Sequence, residues 1–292
     1  MRNPRSALLS TDWNEEWKAL QADRRSADDP SFWDKRAKHF KPRETHPYAR
    51  DFLKLADIHH GESVLDMGCG GGSLAIPLAR QGCSVLACDF SKPMLDVVRE
   101  GAQHFQVDQL VDTKLLAWDE DWDEAGMRPK SVALASRSIA TADLESSLVK
   151  LDSTARRRCC ITLVANASPR YDEHVMNAIG ASVTRSHDFV YAFNILISMG
   201  RLPEVSYIHS PRRDTFDSLD EGVADFARML EGGNEDKLDE LRSYIAAHMI
   251  ENPQAGQPGS KGKPQGRYTL DHVRMVHWAF ISWNPSEPAH QD

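Results

Sequence analysis

The sequence predicts an α/β fold, a doubly wound and mostly parallel sheet, and two observations point there. From residue 63 onward, short apolar runs alternate with amphipathic stretches of helix length, the pattern of a parallel sheet covered by helices on both faces. One of those strand-to-helix joints is glycine-rich, Gly68-Cys69-Gly70-Gly71-Gly72, as a ligand-binding turn of such a sheet requires. The composition is that of an ordinary globular chain, with 41% hydrophobic and 27% charged residues in 292, which excludes disorder or coiled coil as a description of the whole.

The elements follow in order. Residues 1–60 are polar and aromatic, and Trp13 and Trp17, like Phe32, Trp33, Ala37 and Phe40, fall at helical spacing, so a helical N-terminal extension is expected. Ser63–Met67 reads as a strand, Ser73–Gln81 as a helix and Ser84–Asp89 as a strand. A helix follows from Ser91, an N-cap with Pro93 in the first turn, to about Gln103. Strands are expected at Asp112–Ala117, Ser131–Ser136 and Cys159–Ala165, with helices through Leu144–Leu151 and Tyr171–Ile179, the last closed by Gly180. The triplet Arg156-Arg157-Arg158 reads as the end of a solvated helix. Phe189–Met199 has the length of a helix, Val205–His209 reads as a strand, and Asp217–Leu230 and Asp236–Met249 as helices. Asn252–Gly266, with three prolines and four glycines, reads as a flexible surface loop, and Val276–Trp283 as the closing strand.

Charge and cysteine usage bound the function. A net charge of −8 argues against a general nucleic-acid binder, which needs a phosphate-neutralising surface. Mean hydropathy is −0.50, and no apolar run approaches the roughly 18 residues that suggest a membrane span. The basic start is followed only by Ala7, Leu8 and Leu9, too few for the apolar core of a signal peptide. Five cysteines without Cys-x-x-Cys spacing suggest no structural zinc and no disulfide framework, so a reducing, cytoplasmic compartment is expected. The cysteines read as small apolar fillers, and Cys159 and Cys160 on one strand point to opposite faces.

The chemistry concentrates in Val64–Ser73 and in Asp89. Glycines let the backbone turn sharply and approach a ligand, and the following helix aims its free N–H groups at the same place. Asp89 ends the next strand, about 20 residues on, where an acid binds a ribose hydroxyl pair. A nicotinamide site usually shows Gly-x-Gly-x-x-Gly. Here Gly68, Gly70 and Gly72 alternate, position 73 is serine, and Asp66 precedes them. That acid is unfavourable beside a pyrophosphate and suits a ligand carrying an ammonium and a sulfonium.

These residues, with Asp89, Ser91, Met94 and Leu95 in Asp-x-Ser-x-x-Met-Leu, resemble the class I S-adenosylmethionine-dependent methyltransferases, and the continuation is similar to their ubiquinone/menaquinone C-methyltransferase-like branch. The resemblance covers about Asp51 to Ala165. It implies a Rossmann-like sheet of seven strands closed by an antiparallel pairing of Val205–His209 with Val276–Trp283, interrupted by a long insertion at about 210–269. Residues 61–292 would then form the methyltransferase domain behind the 1–60 extension. It also implies cofactor contacts. Asp66 would lie near the methionyl ammonium, with Gly68, Gly70 and Gly72 under the cofactor, Asp89 on the ribose diol and Phe90 beside the adenine. Trp118 and Asp119 would sit at the adenine, and Ser136 and Arg137 would line the methionyl and acceptor region. Trp118 and Trp122 also read as core aromatics, and Arg137 as a partner for a surface acid. The aspartate that family members usually carry inside that strand, in Phe-Asp-x-Val, is absent, and Lys130-Ser131-Val132 stands in its place.

The implied reaction is in-line displacement of the sulfonium methyl by a small organic acceptor, leaving S-adenosylhomocysteine. It needs alignment and exclusion of water more than a catalytic triad. The sequence identifies no general base: His46, Tyr48, His187, Tyr191 and His209 are each more often structural when met singly. Phe32–Tyr48 and part of the insertion are expected to cover the acceptor pocket, since long insertions in compact domains are often functional. A nicotinamide-dependent oxidoreductase and a non-catalytic S-adenosyl-ligand-binding protein are the alternative readings.

Overall fold

The computed structural model describes residues 10–22, 24, 30–37, 46–166, 169, 171–183, 185–259 and 264–285. Three helices come first, α1 (Trp13–Ala22), α2 (Pro30–Ala37) and α3 (Pro47–Ala56). Then β1 (Ser63–Met67), α4 (Ala75–Arg80), β2 (Ser84–Asp89), α5 (Lys92–His104), β3 (Val111–Leu115), β4 (Lys130–Ser136), α6 (Leu144–Thr154) and β5 (Ala155–Val164) alternate. After α7 (Glu173–Ala178) and α8 (Asp188–Ser198), β6 (Glu204–Arg212) and β10 (Arg274–Trp283) complete the sheet.

The seven strands lie in the order β3-β2-β1-β4-β5-β10-β6. β1 pairs in parallel with both β2 and β4, so the order reverses between β1 and β4. Ligands of such sheets bind in the crevice outside the carboxyl ends of the strands at that reversal. β10 runs antiparallel between β5 and β6, with Trp278 opposite Val164 on one side and Ile208 on the other. Alternation along each buried strand feeds two cores. Val64, Val132, Leu134 and Cys160 face α3, α4 and α5, while Leu65, Ala133, Ala135 and Cys159 face α1, α6 and α8. The adjacent thiols Cys159 and Cys160 thus lie on opposite faces, and all five cysteines are free and buried.

Local rules place the helices. Ser91 caps α5 by accepting from the Met94 amide, and Asp143 caps α6 by accepting from the Ser146 amide at 2.9 Å. Ser218 caps the first insertion helix in the same way, while Glu221 reaches back to the Asp217 amide at 2.8 Å. In the extension, Trp17 is fully buried and its indole N–H donates to the Thr141 carbonyl at 2.7 Å. Asn14 and Asp143 add a side-chain hydrogen bond of 3.1 Å, so α1 is docked on α6 and α8.

The insertion between β6 and β10 is more ordered than its sequence suggests. Its helices α9 (Leu219–Ala227) and α10 (Leu238–His248) match expectation. The strands β7 (Thr215–Phe216), β8 (Met249–Glu251) and β9 (Tyr268–Leu270) form a separate three-stranded sheet. At two or three residues each, these strands are too short to display an alternation. Phe216, Phe226, Leu241 and Ile245 give this unit its own core, which it shares with Val175 and Met176 of α7. Asn252–Gly266 is a correction in part. Its described residues form a turn with paired backbone, Gly256 donating to Gln265 and Gln265 to Gln257.

Arg156-Arg157-Arg158 is a second correction, for these residues open β5. Arg157 is bidentate to Glu62 at 2.6 and 2.8 Å, and Arg158 donates to Ser282 at 2.9 Å. Long basic stems lying along the protein surface let a charged run occupy a strand end.

Candidate active site

The β1 and β2 ends form the first half of the site. Gly68, Gly70 and Gly72 have φ of +68°, +52° and +80°, a region that L side chains rarely adopt. At Gly68 space alone also demands glycine, because an added Cβ would lie 2.3 Å from the Ser138 Cβ. At Gly70 an added Cβ meets nothing within 4 Å, so the loop is open on the side its missing side chain faces. The Gly68 and Cys69 amides both donate to the Cys88 carbonyl, and the Gly70 amide donates to Asp89 Oδ2 at 2.8 Å. Asp89 Oδ1 accepts from the Ser91 amide at 2.9 Å, tying the glycine loop to the start of α5. Asp34 of α2 closes this corner by accepting from the Ser91 hydroxyl at 2.6 Å.

Two buried carboxylates make this half electrostatically incomplete. Asp66 Oδ2 is buried with no hydrogen-bond partner among the described residues. Burial, with the Asp89 carboxylate close by, pushes Asp66 up to about 7 against the opposing pull of the Ala75 amide. Burial also raises Asp89, and its hydrogen bonds from Ser91 and Gly70 work against that shift. A buried acceptor without a donor is costly, and a cationic N–H group beside the glycine loop removes that cost. The residues present therefore fit a ligand with an ammonium group and a diol, as S-adenosylmethionine has.

The β4, β5 and β10 ends form the second half. Ser136 ends β4, and Arg137 follows in the left-handed region at φ +59°, a conformation uncommon for a residue other than glycine. The Arg137 amide donates to Thr162 Oγ1 at 3.1 Å. Its guanidinium lies 4.2 Å from the centre of the Tyr48 ring and 5.8 Å from that of Trp278. The Tyr48 hydroxyl bonds to Ser136 Oγ at 2.9 Å and to Thr162 Oγ1 at 2.7 Å. Burial pushes this phenol up, so it stays protonated and acts as a fixed strut. Ser138 donates to the Met67 carbonyl at 2.7 Å and so joins the two halves.

Asp66, the glycine loop, Asp89, Ser136 and Arg137 thus fall on one end of the sheet. Phe90 is half-buried next to Asp89. Trp118 and Asp119 lie in the segment after β3, with Asp119 exposed. Trp118 packs 5.5 Å from Trp122 against the core, and its indole N–H is buried with no partner among the described residues. Both expectations for Trp118 therefore have a basis in its surroundings. Sequence reasoning missed Thr162 and Trp278 as members of the site, whereas Asp34 and Tyr48 fall within the expected cover Phe32–Tyr48 and Ser138 directly follows Ser136 and Arg137 at the end of β4. Of Phe32–Tyr48, residues 38–45 lie outside the described residues. A shallow cavity of about 430 Å³ lies elsewhere, lined by Ala178, Ile179 and Tyr244 among others, and touches neither half.

Comparison with known proteins agrees with this geometry. Residues 64–124 match the model of a methyltransferase domain. An uncharacterized protein of Haemophilus influenzae is 33% identical over 184 residues, 62% of this chain and 67% of that one. A ubiquinone biosynthesis O-methyltransferase of Chromobacterium violaceum is 38% identical over 81 residues, 27% of this chain and only 34% of the enzyme. In fold, the YcgJ protein of Bacillus subtilis superposes with a TM-score of 0.51 at 12% identity, covering 82% of this chain and 98% of that one. Residues 64–124 thus form a methyltransferase domain, and the strand order, the glycine loop and the paired acids Asp66 and Asp89 support the class I S-adenosylmethionine-dependent type.

Proposed function

We propose that the protein transfers the methyl group of S-adenosylmethionine to a small organic acceptor held at the carboxyl ends of β4, β5 and β10. The observation that carries the reading is the buried Asp66 carboxyl, whose Oδ2 has no partner among the described residues, beside the open glycine loop. In this reading Asp66 faces the methionyl ammonium, and Gly68, Gly70 and Gly72 let the backbone approach. Asp89 receives the ribose hydroxyls on lone pairs that Gly70 and Ser91 leave available. Phe90, Trp118 and Asp119 lie toward the adenine, and Ser136 bounds the methionyl side.

When bound, the sulfonium supplies an already activated methyl group. The chain's residues therefore need to orient the acceptor, exclude water and hold protons in place. Tyr48, fixed by Ser136 and Thr162, makes the acceptor side rigid. The extension contributes through Asp34 and Tyr48, which supports its role as a partial cover. In this proposal residues 1–60 form that extension, and 61–292 the domain with its insertion. Five buried free thiols support a reducing, cytoplasmic setting. No helix among the described residues is long and apolar enough to cross a membrane.

The test is calorimetry with S-adenosylhomocysteine and NAD, followed by S-adenosylhomocysteine release in a small-molecule extract supplied with S-adenosylmethionine. Binding of the S-adenosyl ligand alone and its production on turnover are expected. Binding without turnover would make the protein a ligand sensor, and NAD binding alone would overturn the reading.

A further inference from the structure

The second half of the site holds a cation whose purpose the transfer reading leaves open. Arg137 is exposed, and among the described residues no carboxylate lies within ion-pair distance of it. Its left-handed backbone is held by the Thr162 hydroxyl, and its guanidinium is stacked over Tyr48 with Trp278 beside it. Stacking occupies the face of the guanidinium and leaves its edge, which carries the N–H fork, for an acceptor of hydrogen bonds.

The direction of the side chain separates it from the cofactor. Trp278 belongs to β10, two strands from β4 on the side away from β1. At about 4.8 Å per strand, the guanidinium leans toward β5 and β10, while Asp66, the glycine loop and Asp89 occupy β1 and β2. A single planar fork matches one carboxylate in bidentate fashion. A phosphate dianion draws in backbone amides or a second cation, and the amide-rich glycine loop is at β1.

We infer that Arg137 is the specificity residue for the methyl acceptor and that the acceptor is a small carboxylic acid, bound through its carboxylate in the space beside Tyr48 and Trp278. The inference rests on the transfer reading, and it concerns recognition only, so the acid itself need not be the methylated group.

The test uses the full chain with S-(trideuteromethyl)adenosylmethionine and a small-molecule extract split on anion-exchange resin into acidic and non-acidic fractions. Label is expected in the acidic fraction, and converting its carboxylates to amides beforehand is expected to abolish the transfer. Arg137→Ala is expected to raise KM for the labelled acid roughly ten- to hundredfold. Arg137→Lys should recover only part of this, and the Kd for S-adenosylhomocysteine should stay within about twofold in both variants. Label in the non-acidic fraction, or survival of transfer after amidation, overturns the inference and leaves methyl transfer standing. A loss of S-adenosylhomocysteine affinity in Arg137→Ala, with KM for the acid unchanged, places Arg137 on the cofactor and also overturns it. Absence of label from every fraction removes the transfer reading and the inference together.

Discussion

The two halves of the site are built by opposite means. At β1 and β2 the chain removes side chains, with three glycines at positive φ, and buries two carboxylates, one of which, Asp66, has an oxygen without a hydrogen-bond donor among the described residues. At β4, β5 and β10 it adds bulk, with Arg137 over the Tyr48 ring, Trp278 edge-on to Tyr48 and two hydroxyls closing the network. The first half is acidic and backbone-lined, which suits a fixed cofactor whose cation meets the acids. The second is aromatic and cationic and is made of side chains, the part of a fold that changes as substrates change.

If the extension is scaffold to both halves, the largest effect belongs to Trp17. Truncating this fully buried indole, as Trp17→Ala, should cost about 3–5 kcal/mol of stability. Cofactor affinity, measured well below the unfolding midpoint, should barely change. A matched loss of affinity would mean that the extension shapes the β1–β2 half directly.

Asp66 comes next, because its fold contribution depends on pH. Its folded value, about 7, lies above the ordinary carboxylate value of 3.8, so the folded protein holds a proton that the unfolded chain releases. Stability should therefore fall as pH rises from about 4 to 7, by up to about 4 kcal/mol from this group alone. Asp66→Asn should flatten that part of the profile in urea unfolding. An unchanged profile would show that Asp66 is solvated and that the electrostatic contrast between the halves is false.

Gly68→Ala tests the joint between the halves. The left-handed backbone and the collision with Ser138 together should cost about 2–4 kcal/mol. Adding Ser138→Gly should recover part of it, since only the steric component is relieved. Failure of the second change to recover any stability would remove the close approach as the cause.

Asp89→Asn should have the smallest effect on folding, yet a clear one on binding. Asp89 braces the Gly70 and Ser91 amides, so a cost of about 1–2 kcal/mol in stability is expected along with roughly ten- to hundredfold weaker S-adenosylhomocysteine binding. A folding defect without a binding defect would make Asp89 purely a brace.

The same contrast explains what the sequence made legible. Asp66, the glycines and Asp89 lie within 24 consecutive residues, and one strand–turn–helix–strand unit brings them together. Their spacing is local physics, so the glycine loop and the acid at the end of β2 could be placed in advance. The aromatic half is assembled across the sheet: Tyr48 meets Ser136 88 residues away and Thr162 114 residues away, and Trp278 arrives from the last strand. Nothing in the neighbourhood of any of these residues encodes the meeting. The long strands and the order of helices were legible because burial imposes a period. β7, β8 and β9 were not, because two or three residues show no period. Arg156–Arg158 misled because charge was weighed above position, and at a strand end the two do not conflict.

The most direct test of the central claim, that an unsatisfied acid beside the glycine loop receives a cationic S-adenosyl ligand, is proton-linked calorimetry of S-adenosylhomocysteine binding. With Asp66 near 7 in the free protein, an arriving ammonium favours its carboxylate, so binding at pH 6.5 should release a proton. Affinity should rise with pH up to about 7 by as much as tenfold per unit and then level off. Titrations in two buffers of different ionisation enthalpy count the protons, and Asp66→Asn should abolish the release. Binding that is independent of pH, with no proton released by the unaltered protein, would contradict the account.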